Sequence, residues 1–214
     1  MSDEIVFYTN PQSRGRIVRW VLEEVGQPYR TEIIEYPTTM KGPEYLAINP
    51  MGKVPALRHG DTVVTEGAAI CAYLADAFPA ANLAPPPASP LRGSYYRWLF
   101  FAAGPLEAAV SNKALGFEVP KEREPMIGYG TYARVMDVLE TAVARDDFLV
   151  GNSFTAADVY LGSHLGFGIQ FGTIEKRPAF EAYWKRLSER PAAVRAREID
   201  DALIAEREKA KTAH

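Results

Sequence analysis

Asn49-Pro50-Met51-Gly52-Lys53-Val54-Pro55-Ala56-Leu57 is the stretch from which the fold is read. Proline lacks the N–H that a central strand needs, so Pro55 marks a strand's start rather than its middle. A cis bond before it would turn the backbone N–H and C=O of Val54 outward. An extended peptide can pair with such an edge by strand addition. A plain loop entering a strand accounts for the same residues, because proline-bounded loops are common.

Strand and helix signals alternate on either side of this stretch. Ile5 to Thr9 is short, apolar and β-prone. After the loop Asn10-Pro11-Gln12-Ser13, the residues Ile17, Val18, Val21, Leu22 and Val25 recur at helical spacing. Gly26 suits that helix's C-terminus, and Pro28 prevents its continuation. Tyr29 to Glu35 reads as a strand and Pro43 to Ile48 as a weak helix. Val54 to Arg58 and Thr62 to Thr65 read as a hairpin around His59-Gly60-Asp61, and Ile70, Tyr73, Leu74 and Ala77 mark a helix. The order β-α-β-α-β-β-α implies a sheet covered by helices.

The segment from Pro79 to Pro90, with three consecutive prolines, favours an extended spacer. It divides the chain into 1–78, a linker at 79–90, and a helical part at 91–214. In that last part Ser89-Pro90 opens a helix through Tyr95, Trp98, Leu99 and Phe101, which Gly104-Pro105 should kink. Further helices are expected over about Glu124 to Ala144, with Val135, Val138, Leu139 and Ala142 on one face, and over Thr155 to Ile169. Pro178 opens another, and the last spans Ala192 to Lys211.

Composition narrows the function classes. The 214 residues are 47% hydrophobic and 24% charged, which is ordinary for a globular protein. A net charge of −3 argues against a nucleic-acid partner. The single cysteine, Cys71, forbids an intrachain disulfide and is expected to be buried and inert. An acidic start that runs straight into a strand is not a signal peptide, and no apolar run approaches the ~20 residues of a membrane span. The expectation is a cytoplasmic protein. His59, His164 and His214 lack metal-ligand spacing, so no metal is expected.

Two more segments can carry chemistry. At Thr65-Glu66-Gly67-Ala68-Ala69-Ile70 a strand passes directly into a helix start. Free N–H groups there attract a carboxylate, and Glu66 can hold an ammonium beside it. Glu66 can equally serve only its own helix dipole. In Tyr8-Thr9-Asn10-Pro11-Gln12-Ser13-Arg14-Gly15-Arg16, Ser13 near the helix start can donate its hydroxyl to a thiolate, or simply cap the helix. Arg14 and Arg16 can contact an acidic ligand or stay solvated.

These three segments, in this order and spacing, resemble the glutathione-binding half of glutathione transferases, and the likeness covers nearly the whole chain. Asn49 to Pro55 is similar to the family's N-P-x-G-x-V-P stretch, and Thr65 to Ile70 to its E-S-x-A-I turn. Phe148 to Asp158 resembles its helical-domain G-x-x-x-T-x-A-D motif. That last motif has a structural cause: Thr155 and Asp158 form a capping box, with Phe154 and Val159 placed as a staple. The resemblance implies a thioredoxin-like domain at 1–78, an all-helical domain at 91–214, glutathione as co-substrate and a homodimer. Val54 would pair with the cysteinyl backbone of glutathione, with Pro55 cis. Glu66 and Gly67 would hold its γ-glutamyl end, and Lys53 and Lys41 its glycine carboxylate. Gly67 stands where the family often has serine, which implies weaker binding. Ser13 is the first choice as thiolate stabiliser and Tyr8 the second. Residues 1–70 contain no cysteine, so redox exchange through a protein thiol in the loop is excluded. The electrophile would be small and apolar, held between the domains by Phe101, Leu106, Leu115, Phe117, Phe167 and Phe171. Peroxide reduction, isomerisation and a non-catalytic ligand carrier are the alternatives.

Overall fold

The structure is a computed structural model that describes residues 3–36 and 38–212. Met1, Ser2, Pro37, Ala213 and His214 lie outside the described residues. Two compact units emerge, Met1–Ala81 with Glu189–His214, and Asn82–Ser188.

In the first unit, β1 (Ile5–Thr9), β2 (Arg30–Ile33), β3 (Ala56–His59) and β4 (Thr62–Thr65) form a sheet in the order β2-β1-β3-β4. β1 pairs parallel with β2 and antiparallel with β3, and β3 pairs antiparallel with β4. Side chains alternate across this sheet. Val6, Tyr8 and Ala56 cluster with Met40 and with Tyr45 of the short helix α2 (Pro43–Leu46). Phe7 points the other way, where Arg19 of α1 (Gly15–Val25) lies over its ring at 5.2 Å. Helix α3 (Gly67–Ala77) packs on α1 and buries Ile70, Cys71, Leu74 and Ala75. Burial pushes the Cys71 thiol far above its ordinary range, which keeps it protonated and unreactive.

The last helix, α9 (Pro191–Thr212), joins this unit although the sequence pattern assigns it to the helical part. It packs along α1, burying Ala192, Ala193 and Ala196. Arg19 on α1 and Asp200 on α9 form an ion pair at 2.8 Å, each 1% exposed. Arg190–Glu24 and Arg195–Glu23 pairs flank it. A linear pattern does not disclose a partner 181 positions away.

The second unit is helical. α4 (Leu91–Phe101) leads through a π-helical turn at Ala102–Leu106 into α5 (Glu107–Ala114). The expected kink takes this form because Pro105 lacks the N–H that would bond back one turn. α6 (Tyr132–Arg145) starts later than the pattern suggests. Pro125 sits in a separate 3₁₀ segment, and Thr131 caps α6 by accepting the Arg134 N–H at 3.2 Å. Its buried face is Val135, Met136, Leu139 and Val143. Val138 and Ala142, expected on that face, are only half-buried.

α7 (Ala156–Phe171) is buried on nearly every side, as a central helix must be if it is apolar all round. Its Thr155–Asp158 capping box is complete. α8 (Pro178–Ser188) lies so close that a Cβ at Gly166 would come within 2.5 Å of the Trp184 ring. No described helix is long and apolar enough to cross a membrane.

Candidate active site

The strand register gathers the candidate residues. Tyr8 of β1 opposes Ala56 of β3, which opposes Thr65 of β4. The exit of β1, the entry of β3 and the exit of β4 therefore share one end of the sheet, and the exit of β2 joins them through its parallel pairing with β1. This end carries the Ser13 loop, Val54-Pro55, Glu66-Gly67 and the segment leading to Lys41. Ligands bind at the carboxyl ends of strands in open α/β sheets.

The Val54–Pro55 peptide is cis. The ladder begins at Ala56, so sheet pairing leaves the Val54 N–H and C=O available to another strand. The residues before it are held from behind. The Lys53 C=O accepts the Tyr45 hydroxyl at 2.6 Å and the Asn49 Nδ2–H at 2.8 Å. The Lys53 side chain is exposed. Lys41 Nζ donates to the Gly52 and Met51 carbonyls at 2.8 and 3.2 Å, closing the same loop.

Burial pushes the Tyr45 phenol up to about 12. The folded chain therefore keeps this proton at a pH where the unfolded chain, near its ordinary value of about 10, has lost it. The contribution is intact below pH ~10 and fades as pH climbs towards 12. Tyr45→Phe should flatten that alkaline limb in unfolding followed by circular dichroism, and should cost about 1 kcal/mol at neutral pH through the lost hydrogen bond. An alkaline limb identical in the two proteins would refute this.

Glu66 precedes α3 with φ 67°, a left-handed conformation rare outside glycine. Such strain persists only where the surroundings impose it, and it gathers at binding sites. Here it turns the chain from β4 into α3, whose first N–H groups have no partner within the helix, and leaves the Glu66 side chain exposed beside them.

Ser13 is half-buried, and its hydroxyl is engaged on both sides. A carbonyl only accepts, so Ser13 Oγ donates to the Asn10 C=O at 2.6 Å, while it accepts the Gly15 N–H at 2.9 Å. Ser13 thus bonds the Gly15 N–H at the start of α1, although Arg14 rather than Ser13 occupies the N-cap position. Gly15 is required by close approach: a Cβ there would lie 1.9 Å from Thr9 Oγ1 and 3.0 Å from Ser13 Oγ. Tyr8 lies on the other face of the sheet from α1, its ring 6.0 Å from that of Tyr45. Arg14 is exposed, and Arg16 is paired with Asp201 of α9.

Two supporting residues escaped the sequence reading. Asn10 Oδ1 accepts the Gln12 N–H at 3.0 Å and its Nδ2 donates to the Ile34 C=O at 2.9 Å. Asn49 Oδ1 accepts the Met51 N–H at 3.1 Å while its Nδ2 holds Lys53. Both are Asx turns followed by proline, and the paired Asn-Pro steps were the available signal.

His59 and His164 stand elsewhere. His59 Nδ1 meets the Tyr73 hydroxyl at 2.9 Å, and the His164 ring packs on Tyr160. Among the described residues no group of three or more His, Cys, Asp or Glu is placed to hold a metal. In the helical unit Leu106 is fully buried in the core, whereas Leu115, Phe117 and Phe171 are exposed. Core burial removes Leu106 from any surface that a substrate can touch.

A thioredoxin-like unit gathers, at one end of its sheet, an unladdered strand segment, an acidic helix start and a serine hydroxyl, the parts of a site for a small polar ligand. Comparison with known proteins makes this specific. Residues 13–77 match the family model for the glutathione S-transferase N-terminal domain, and residues 97–191 that for the C-terminal domain. The chain is 33% identical over 168 residues to glutathione S-transferase GstA of Escherichia coli O157:H7, covering 77% of this chain and 79% of that one. It is 29% identical over 190 residues to glutathione S-transferase 3 of Zea mays, covering 82% and 84%. A glutathione transferase structure from Methylococcus capsulatus superposes with a TM-score of 0.77 at 29% identity, over 92% of this chain and 99% of that one. A sphingomonad glutathione S-transferase complexed with glutathione gives 0.75 at 27% identity, over 92% and 98%. The chain belongs to the glutathione S-transferase family.

Proposed function

We propose that this protein is a glutathione transferase that ionises the glutathione thiol with Ser13 and directs it at small apolar electrophiles. The observation that carries this reading is the convergence of the Ser13 loop, the unladdered Val54 and the strained Glu66-Gly67 turn at one end of the sheet. In this reading the cysteinyl backbone of glutathione pairs with Val54, as an added strand would. The γ-glutamyl carboxylate meets the first N–H groups of α3, at Gly67 and Ala68, and its ammonium meets Glu66. Lys53 and Lys41 neutralise the glycine carboxylate. With glycine at 67 no side-chain hydroxyl assists, so binding is weaker than where serine stands. The exposed Leu115, Phe117 and Phe171 offer apolar surface to the second substrate. The enzyme works in the cytoplasm as a homodimer and needs no metal.

The chemistry rests on thiol ionisation. A free thiol has a pKa of about 8.5, and only the thiolate attacks well. A hydroxyl donating to sulfur favours the anion. Ser13 is assigned this task ahead of Tyr8, which packs with Tyr45 on the face away from α1. Ser13→Ala should raise the pKa of bound glutathione by one to two pH units, cutting the thiolate fraction at pH 7 roughly tenfold. Affinity for glutathione should hardly change.

Three measurements test the reading: retention on immobilised glutathione, calorimetric titration with glutathione, and conjugation of an aromatic halide followed against pH. A protein that takes up no glutathione overturns the function. A Ser13→Ala variant with wild-type turnover moves the catalytic role to another group.

A further inference from the structure

We propose that Thr9 is a positioning residue for thiolate formation, holding the Asn10 carbonyl in reserve so that the Ser13 hydroxyl can turn to sulfur at little cost. The inference rests on Ser13 being the group that stabilises the thiolate. A serine hydroxyl has one proton and two acceptor lone pairs. In the free protein that proton is spent on the Asn10 C=O at 2.6 Å, and one lone pair is taken by the Gly15 N–H at 2.9 Å. Ser13 as it stands therefore offers sulfur an acceptor and no donor. Stabilising a thiolate requires its O–H to leave the Asn10 carbonyl.

That carbonyl is oversubscribed. It receives the Ser13 Oγ–H, the Ser13 N–H at 3.0 Å and the Thr9 Oγ1–H at 3.4 Å. A carbonyl oxygen has two lone pairs. The third donor, Thr9, is consequently the long one, waiting at the edge of hydrogen-bond distance. When the Ser13 hydroxyl rotates away, Thr9 Oγ1 can close on the vacated lone pair, so no buried acceptor is stranded. Thr9 is fully buried and Asn10 is 1% exposed, so water does not readily replace that donor.

The surroundings hold the three groups in place. Asn10 is anchored by its side-chain bonds to Ile34 and Gln12. The Thr9 C=O accepts the Ile34 N–H at 2.8 Å, which fixes Thr9 from the neighbouring segment. The missing Cβ at Gly15 leaves room for both hydroxyls, since one there would lie 1.9 Å from Thr9 Oγ1 and 3.0 Å from Ser13 Oγ. No proton is transferred within this trio: the thiol proton departs to solvent, and the serine proton changes only its acceptor.

The test is Thr9→Val, which keeps the shape and removes the hydroxyl. The ionisation of bound glutathione, read from thiolate ultraviolet absorbance, should move up by about half a pH unit, roughly a threefold fall in the ionisation constant. The pH profile of kcat/KM should move with it. Thr9→Ser should restore both. In a Ser13→Ala background Thr9→Val should add nothing, since no hydroxyl remains to be released. A Thr9→Val shift that persists in that background makes Thr9 merely structural and overturns the proposal. So does an unshifted Thr9→Val protein whose Ser13→Ala counterpart does shift. An unshifted Ser13→Ala protein removes instead the serine assignment on which the proposal stands. Should Thr9→Val fail to fold, Thr9→Cys in the reduced protein, a weaker donor of similar size, carries the same comparison.

Discussion

Replacing Asp200 by alanine is expected to lower the free energy of unfolding by about 3–5 kcal/mol, because it strands a buried guanidinium. Arg19 and Asp200 are each 1% exposed and meet at 2.8 Å between α1 and α9. Arg19 Nη1 reaches the Tyr29 hydroxyl at 3.1 Å and Thr31 Oγ1 at 3.3 Å, and the Phe7 ring lies beneath its guanidinium. These neutral groups cannot replace the lost countercharge. The pair is nevertheless no pure gain. Burial pushes the Asp200 carboxyl above its ordinary range, and the Arg19 charge pulls it part of the way back. Arg19 Nη2 and Asp200 Oδ2 are buried with no hydrogen-bond partner among the described residues. Exchanging both residues for apolar ones of similar size, Arg19→Met with Asp200→Leu, should therefore recover most of the loss. Urea unfolding of the single and double variants is the measurement. A single variant within about 1 kcal/mol of wild type would sink the claim, since that is the size of an exposed pair.

Asp158→Ala should be nearly as damaging, about 4 kcal/mol, for a different reason. The Asp158 carboxylate accepts four bonds: the Leu149 N–H at 2.8 Å, the Thr155 N–H at 2.8 Å, the Thr155 hydroxyl at 2.9 Å and the Tyr183 hydroxyl at 2.8 Å. It ties the start of α7 to the preceding loop and to α8. Burial raises its carboxyl pKa and the four donors oppose that rise. Removing the side chain leaves four buried donors with nothing to bond. Asp158→Asn keeps the shape but turns an NH₂ group towards donors, so its loss should be smaller yet clear. Tyr183→Phe removes only one donor and should cost about 1 kcal/mol. Thermal unfolding followed by circular dichroism separates the three. An Asp158→Ala protein that melts no lower than Tyr183→Phe would show that the other three bonds contribute little.

The contrast between these two carboxylates explains what was legible in the chain. Thr155 and Asp158 are three residues apart, and their box is a local device that any sequence reading can find. The same holds for Pro55 as the start of a strand, for Gly26 at the end of α1 and for the strand-to-helix turn at Glu66; the cis bond before Pro55 was implied by the family resemblance. Each is set by steric and hydrogen-bonding preferences acting over a few residues. Asp200 gave no such sign. It is one of two adjacent aspartates on a charged helix, and only docking on α1 makes it a buried ion-pair partner while Asp201 stays exposed.

The site divides in the same way. Ser13, Val54, Pro55, Glu66 and Gly67 could be named from their local settings. That they meet at one end of a sheet follows from the pairing register, which joins residues nearly fifty positions apart in the case of Tyr8 and Ala56. The state of the Ser13 hydroxyl is a matter of loop geometry, a bond to the carbonyl three residues back, that the residue types alone did not specify. Sequence by itself determined the capping box at Thr155, the alternation of elements and the candidate residues, since those arise from neighbours along the chain. Tertiary structure alone decided that α9 belongs with the sheet and that Tyr8 faces Tyr45. Those outcomes depend on burial and on hydrogen-bond geometry at a scale of ångströms between segments that meet only when the chain has folded.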